Sequence, residues 1–262
     1  MNRRTAVITG ASGGIGMELA RLFAADKYDL IITARSVERL RLLADELAEA
    51  YGVAVHVIGM DIAQPHAAAA LWQAIGGIAA HVDVLVNNAG VGDAGDFAGE
   101  DAPAIECMIH LNISTLTLLT RLALPGMLAR KHGRILNVAS AAGFQPGGPG
   151  MAVYYASKSY VLSFSRAIRR ELRGSGVSVT TLCPGPTSTG FEQAAHTQHM
   201  LLFRWKKPMT AAAVALIGYK GMRQGRGVIV PGLLNKLMAF GPRIDFAGIA
   251  LEVNRMLLRK TP

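Results

Sequence analysis

The sequence predicts an α/β domain: a doubly wound, seven-stranded parallel sheet with helices on both faces. The first observation is a set of seven short Val/Ile-rich runs, Thr5–Thr9, Asp29–Thr33, Ala54–Ile58, Val82–Val86, Arg134–Val138, Ser178–Leu182 and Val228–Val230. They are apolar almost throughout, as parallel strands covered on both faces must be. The second is that segments of helical period separate them. Val37–Ala50 puts Leu40, Leu43 and Leu47 on one face, and Pro103–Lys131 is long enough for a crossover helix. The third is the order itself, since strand and helix in strict alternation make a parallel sheet with two helical layers.

The composition is compatible with that fold. Apolar residues are 51% and charged residues 17% of the 262, which supplies a large core and excludes bulk disorder. No uninterrupted apolar run approaches the roughly 18 residues of a membrane-spanning helix. Met1-Asn2-Arg3-Arg4 leads into an apolar stretch, Thr5–Thr9, too short for a signal-peptide core, so a cytoplasmic protein is expected. Two cysteines, Cys107 and Cys183, cannot form a disulfide framework, and Cys183 reads as a core residue. Neither has metal-ligand spacing, and no metal is expected. Gly147–Gly150 and Pro184–Pro186 mark loops rather than linkers. Residues 1–232 are therefore read as one domain.

Thr9-Gly10-Ala11-Ser12-Gly13-Gly14-Ile15-Gly16 joins the first strand to the first helix. Glycines at this point let the backbone turn sharply and approach a pyrophosphate, whose charge is favoured at a helix N-terminus. Such a turn is a weak signal by itself; placed between a first strand and an amphipathic helix (Leu19, Leu22, Phe23) it is a dinucleotide site. The second strand runs into Arg35. An acidic residue there accepts from the ribose 2′-hydroxyl of NAD, whereas Arg pairs with a 2′-phosphate, so NADP(H) is the expected preference over NAD(H).

Tyr154 and Lys158 are four apart on a predicted helix and share a face. An ammonium beside a phenol favours tyrosinate and is expected to lower its pKa, making Tyr154 a general acid/base. Ser140, just after the fifth strand, carries a hydroxyl able to hold a substrate oxygen. Tyr155 is three residues from Lys158 and could share that face, so spacing alone does not choose between the tyrosines.

Taken in register, these residues resemble the short-chain dehydrogenases/reductases, the branch of about 250 residues with a Rossmann-type fold. The resemblance runs from Thr5 to about Gly232. It implies that Asp61-Ile62 lies near the adenine and that Asn87-Asn88-Ala89-Gly90 supports the sheet and lines the cofactor. It places Pro184-Gly185-Pro186-Thr187 at the cofactor too, with the turn residues Gly10, Ser12, Gly13, Gly14, Ile15 and Gly16. The Ala156-Ser157-Lys158 ending of the motif selects Tyr154. Lys158 would also hold the nicotinamide ribose, and Asn112 would continue a water-linked proton path to solvent. A homodimer or homotetramer is implied as well.

The stretch from about Thr187 to Pro208 is where the family carries a substrate lid. Phe191, Met200, Leu201, Leu202, Phe203 and Trp205 there fit an apolar carbonyl substrate, or equally a lid packed on its own domain. His196 and His199 are read as loop histidines. Residues 233–262 exceed the family's usual length. Leu233, Leu234, Leu237, Met238 and Phe240 are followed by Ile249, Val253, Met256 and Leu257 at helical spacing, opposite Arg255, Arg259 and Lys260. From Arg204 to Pro262 there are 11 Lys/Arg against Asp245 and Glu252, so the whole net charge of +9 lies in that stretch. This basic amphipathic extension could lie on an anionic membrane, cover a neighbouring subunit (the reading the family's oligomers favour) or attract an acidic carrier. Nucleic acid is not expected, for want of a recognition motif. The chain is thus read as an NADPH-dependent reductase of an apolar ketone. A non-catalytic redox sensor and a membrane-peripheral scaffold compete with that reading.

Overall fold

The computed structural model describes residues 3–195 and 208–240, together with Val253 and Met256. Its first half runs β1 (Thr5–Thr9), α1 (Gly14–Ala25), β2 (Asp29–Ala34), α2 (Val37–Tyr51), β3 (Val55–Gly59), α3 (Ala67–Gly76) and β4 (Val84–Asn87). Next come α4 (Ala102–Ile109), a π-helical turn (His110–Thr115), α5 (Leu116–Ala129), β5 (Gly133–Val138), α6 (Ala152–Glu171) and β6 (Val177–Leu182). The described chain closes with β7 (Thr187–Ser188), α7 (Phe191–Ala194), β8 (Met209–Thr210), α8 (Ala211–Arg223), β9 (Val228–Ile229) and α9 (Leu233–Phe240).

Seven strands form one parallel sheet in the order β3-β2-β1-β4-β5-β6-β9, the architecture the strand and helix alternation predicts. The inner strands β1, β2, β4, β5 and β6 are largely buried between two helical layers, while the edge strand β3 stays partly exposed. On one side Leu19 and Phe23 of α1, Leu40, Leu43 and Leu47 of α2 and Val214, Tyr219 and Met222 of α8 pack on Ile8, Leu30 and Ile32. On the other, Leu71 and Ile75 of α3, Leu119, Ala123 and Met127 of α5 and Ile168 of α6 pack on Val7, Ile31, Leu85 and Ile135. The connections change side between β1 and β4. There the carboxyl ends of two neighbouring strands diverge and leave a crevice for a ligand.

Three features differ from the sequence reading. The single helix expected over Pro103–Lys131 is interrupted by the π-helical turn at His110–Thr115, and a one-residue shift in hydrogen bonding leaves no trace in apolar periodicity. By length and composition the 28 residues Ala102–Ala129 could cross a membrane, yet their inner face is part of the sheet cover. The two-residue ladder of β7 with β8 is too short for any periodic signal. Finally, α9 begins immediately after Gly232 and is packed into the body. Ala239 joins Ala139, Val161, Cys183 and Val230, and Asn235 is buried, so the start of the apparent extension is part of the domain. Met200 to Trp205, His196, His199 and, apart from Val253 and Met256, the tail beyond Phe240 lie outside the described residues.

Candidate active site

The glycine turn is locked to β4 before any ligand is considered. Asn88 Nδ2 donates to the carbonyls of Thr9 (2.9 Å) and Gly10 (3.1 Å), while the Thr9 hydroxyl accepts from the amides of Asn88 and Ala89 (both 3.0 Å). A Cβ on Gly16 would lie 2.4 Å from the Gly10 carbonyl oxygen, so this glycine lets the first turn of α1 close against the strand end. Gly10 donates to Thr33 O at 2.8 Å, which ties the turn to β2 as well. By contrast the space above Gly13 is open, and Gly14 adopts φ +55. The bare backbone there, with the open N-terminus of α1 behind it, is a cradle that side chains would fill, and it fits the diphosphate of a dinucleotide.

Around it stand the other residues that the sequence singles out. Arg35 is exposed directly after β2. The Asp61 carboxylate accepts from Ala63 N (3.1 Å) and Gln64 Nε2 (3.2 Å), and Ile62 is buried. Thr187, expected at the cofactor, donates to Gly185 O (2.8 Å) within the loop after β6. The side chain that meets the glycine turn is Thr189, whose Cβ lies 2.9 Å from where a Cβ on Gly14 would be. Nothing local to the sequence singles Thr189 out, because only the fold brings the loop after β6 over the start of α1.

The second cluster lies at the carboxyl ends of β4 and β5. Lys158 is buried on α6, its Nζ donating to Val138 O at 3.3 Å. Asn112, buried in the π-helical turn, is held on three sides. Its Oδ1 accepts from Val91 N (3.0 Å), and its Nδ2 donates to Val91 O (2.9 Å) and Ser157 Oγ (3.0 Å). Ser157 in turn donates to Tyr154 O at 2.7 Å. Gly90 sits between them, since a Cβ there would meet Asn112 Oδ1 at 3.1 Å and Lys158 Nζ at 3.2 Å. Ser140 begins the 3-10 turn Ala141–Phe144. Its Oγ accepts from Ala142 N (3.1 Å) and is hydrogen-bonded to Tyr154.

The two tyrosines separate cleanly. Tyr155 is buried with Ala94, Ala142 and Met151, its ring over Gly148, and burial pushes its phenol far up. Tyr154 faces Ser140, Lys158 and the backbone of Gly92, and its ring touches that of Phe191 (centroids 5.5 Å apart). The electrostatics correct one expectation. Lys158 Nζ is 5.7 Å from the centre of the Tyr154 ring, and burial pushes its own pKa down to about 8. The Tyr154 phenol is raised by burial, with the Ser140 hydrogen bond pulling it partly back. A phenol in this setting is an acid that keeps its proton at neutral pH.

One catalytic-type set of side chains and one open glycine cradle therefore share the crevice at the switch point. The short chain dehydrogenase family matches residues 4–199. The chain belongs to the short-chain dehydrogenase family. It is an oxidoreductase of C=O and CH–OH groups and uses a nicotinamide cofactor. This short-chain dehydrogenase is 31% identical over 258 residues to a very-long-chain 3-oxoacyl-CoA reductase of Anas platyrhynchos, a match spanning 96% of this chain and 80% of the duck protein. It is 36% identical over 185 residues to a ketoacyl reductase of Nostoc sp., covering 71% of this chain and 64% of the cyanobacterial one. Among solved structures, a short-chain dehydrogenase of Sphingobium yanoikuyae in complex with NADPH superposes with a TM-score of 0.82 at 32% identity, covering 94% of this chain and 93% of that one.

Proposed function

We propose that this short-chain dehydrogenase reduces an apolar ketone, of the 3-oxoacyl thioester class or a related lipid-like kind, with NADPH as the preferred reductant. The observation that carries the reading is the convergence of Ser140, Tyr154 and Lys158 beside the open glycine turn. Gly13, Gly14 and Thr189 would hold the diphosphate of a nicotinamide cofactor and Lys158 its ribose, and the bound cofactor would supply the hydride for the carbonyl carbon. The remaining work falls to the chain. The Ser140 hydroxyl holds the carbonyl oxygen and stabilises its developing charge. Tyr154 donates its phenolic proton to that oxygen, and its burial-raised pKa keeps the acid form ready. The nearby Lys158 ammonium stabilises the tyrosinate left behind. Asn112 has its side chain committed to Val91 and Ser157, so it holds the loop after β4 against α6.

Four observations support an apolar substrate and NADPH. Phe191 forms a hydrophobic wall against the Tyr154 ring, and the names of the duck and Nostoc relatives point to acyl carbonyls. Arg35 is exposed at the end of β2, and the Sphingobium structure holds NADPH. A redox sensor without turnover would have no use for an acid placed against a hydroxyl. The test is NADPH consumption on 3-oxoacyl thioesters of rising chain length, alongside simple ketones and aldehydes. Turnover that rises with chain length and vanishes in Tyr154→Phe is expected. Tight NADPH binding with no turnover on any member would favour the sensor.

A further inference from the structure

We infer that α9 is a membrane-docking helix that seats this protein on an anionic lipid surface. The helix has two unlike faces. Asn235 and Ala239 point inward, and the first of them packs flat on Gly185. On the opposite side Leu233, Leu234 and Leu237 are 76%, 49% and 63% exposed, spanning about 100° of the helix circumference. Lys236, also exposed, flanks that arc. Three neighbouring leucines left in water on one short helix form a contiguous apolar patch, unlike the single exposed leucines scattered elsewhere, such as Leu42 on α2. Farther along, Val253 and Met256 are helical and exposed, at a spacing that again puts them on one side.

Charge selects the occupant. The chain from Arg204 to Pro262 carries the entire net charge of +9, while the first 203 residues are neutral. A two-fold self-association through α9 would set each patch, with its exposed Lys236, against its own copy and so bring like charges together. A bilayer rich in anionic lipid offers the opposite sign, and every Lys or Arg within a screening length of it adds to the attraction. Leucines that enter the acyl boundary while flanking lysines stay at the headgroups are the pattern of an interfacial helix. Because α9 also packs against the 3-10 turn that follows Ser140, docking would bring the lipid surface to the back of the substrate-oxygen seat.

The experiment is flotation of the full-length protein with two kinds of vesicle. One is pure phosphatidylcholine and the other contains about 30% phosphatidylglycerol, to supply a negative surface potential. Binding to the anionic vesicles alone is expected, and salt of about 1 M, where the screening length is about 3 Å, should release much of it. Leu233→Ser/Leu237→Ser should weaken that binding about tenfold or more by removing the apolar contact. Leu42→Ser, an equally exposed leucine on another helix, should bind like wild type. Retained NADPH binding shows that each variant is folded. Absence of vesicle binding overturns the inference, as does equal binding to both lipids or by the Leu233/Leu237 variant. A concentration-dependent dimer that this variant abolishes, without any vesicle binding, would overturn it in favour of a second copy.

Discussion

Replacing Gly185 by Ala places a methyl group about 2.5 Å from the amide of Asn235, nearer than any real contact between such atoms. Asn235 cannot swing aside without cost, because its Nδ2 donates to Pro231 O at 2.7 Å and the residue is buried. Overpacking of this kind costs about 1–3 kcal/mol, and in a domain of this size each kcal/mol lowers Tm by about 2–4 °C. Asn235→Ala alone should cost about 1 kcal/mol for the lost hydrogen bond. The double variant removes the collision, so it should be more stable than Gly185→Ala alone, with a favourable coupling of about 1–2 kcal/mol. Catalysis should follow the same pattern. Pro184 O accepts from Ala141 N at 2.7 Å, so a displaced Gly185 disturbs the turn on which Ser140 sits. Urea melts of the four proteins, with NADPH consumption on each, make the test. Additive effects within about 0.5 kcal/mol, or a double variant worse than Gly185→Ala, would refute the steric lock between α9 and the loop after β6.

Three more outcomes follow from the site. Tyr154→Phe should lower turnover about 100-fold or more with cofactor binding kept, whereas Tyr155→Phe, altered inside an apolar cluster, should stay active; steady-state rates and NADPH titration separate them. Arg35→Asp should shift the NADPH/NADH ratio of kcat/KM by about 10–100-fold towards NADH, as expected for losing a charged contact, and an unchanged ratio would exclude Arg35 from the 2′-phosphate. Lys158 gives a pH signature. Burial pushes its pKa down to about 8, below the ordinary lysine value of 10.5 that holds in the unfolded chain. Between those values the unfolded state binds more protons, so this group makes stability rise with pH across that window. The urea midpoint of wild type relative to Lys158→Met should therefore climb from pH 8 to 10, and parallel curves would show that burial leaves the lysine unperturbed.

Much of this protein is local in origin, and the chain states it openly. Apolar runs and helical periods declare the parallel sheet and its two layers, since each strand and helix carries its own burial pattern. The glycine turn, Ser140 and the Tyr154/Lys158 spacing are short-range features, and the sheet needs only to bring their loops to one end. Other features depend on residues far apart. Spacing could not separate Tyr154 from Tyr155; the fold gives them different surroundings, with Gly148 packed over the Tyr155 ring and Phe191 against that of Tyr154. Thr189 meets Gly14 only because β6 ends beside α1, and Asn235 meets Gly185 only because α9 folds back over that loop. The direction of the Tyr154 shift is the same kind of fact. A lysine four residues away argues for a lowered phenol, but burial, which is set by the whole surrounding structure, outweighs it and raises the pKa.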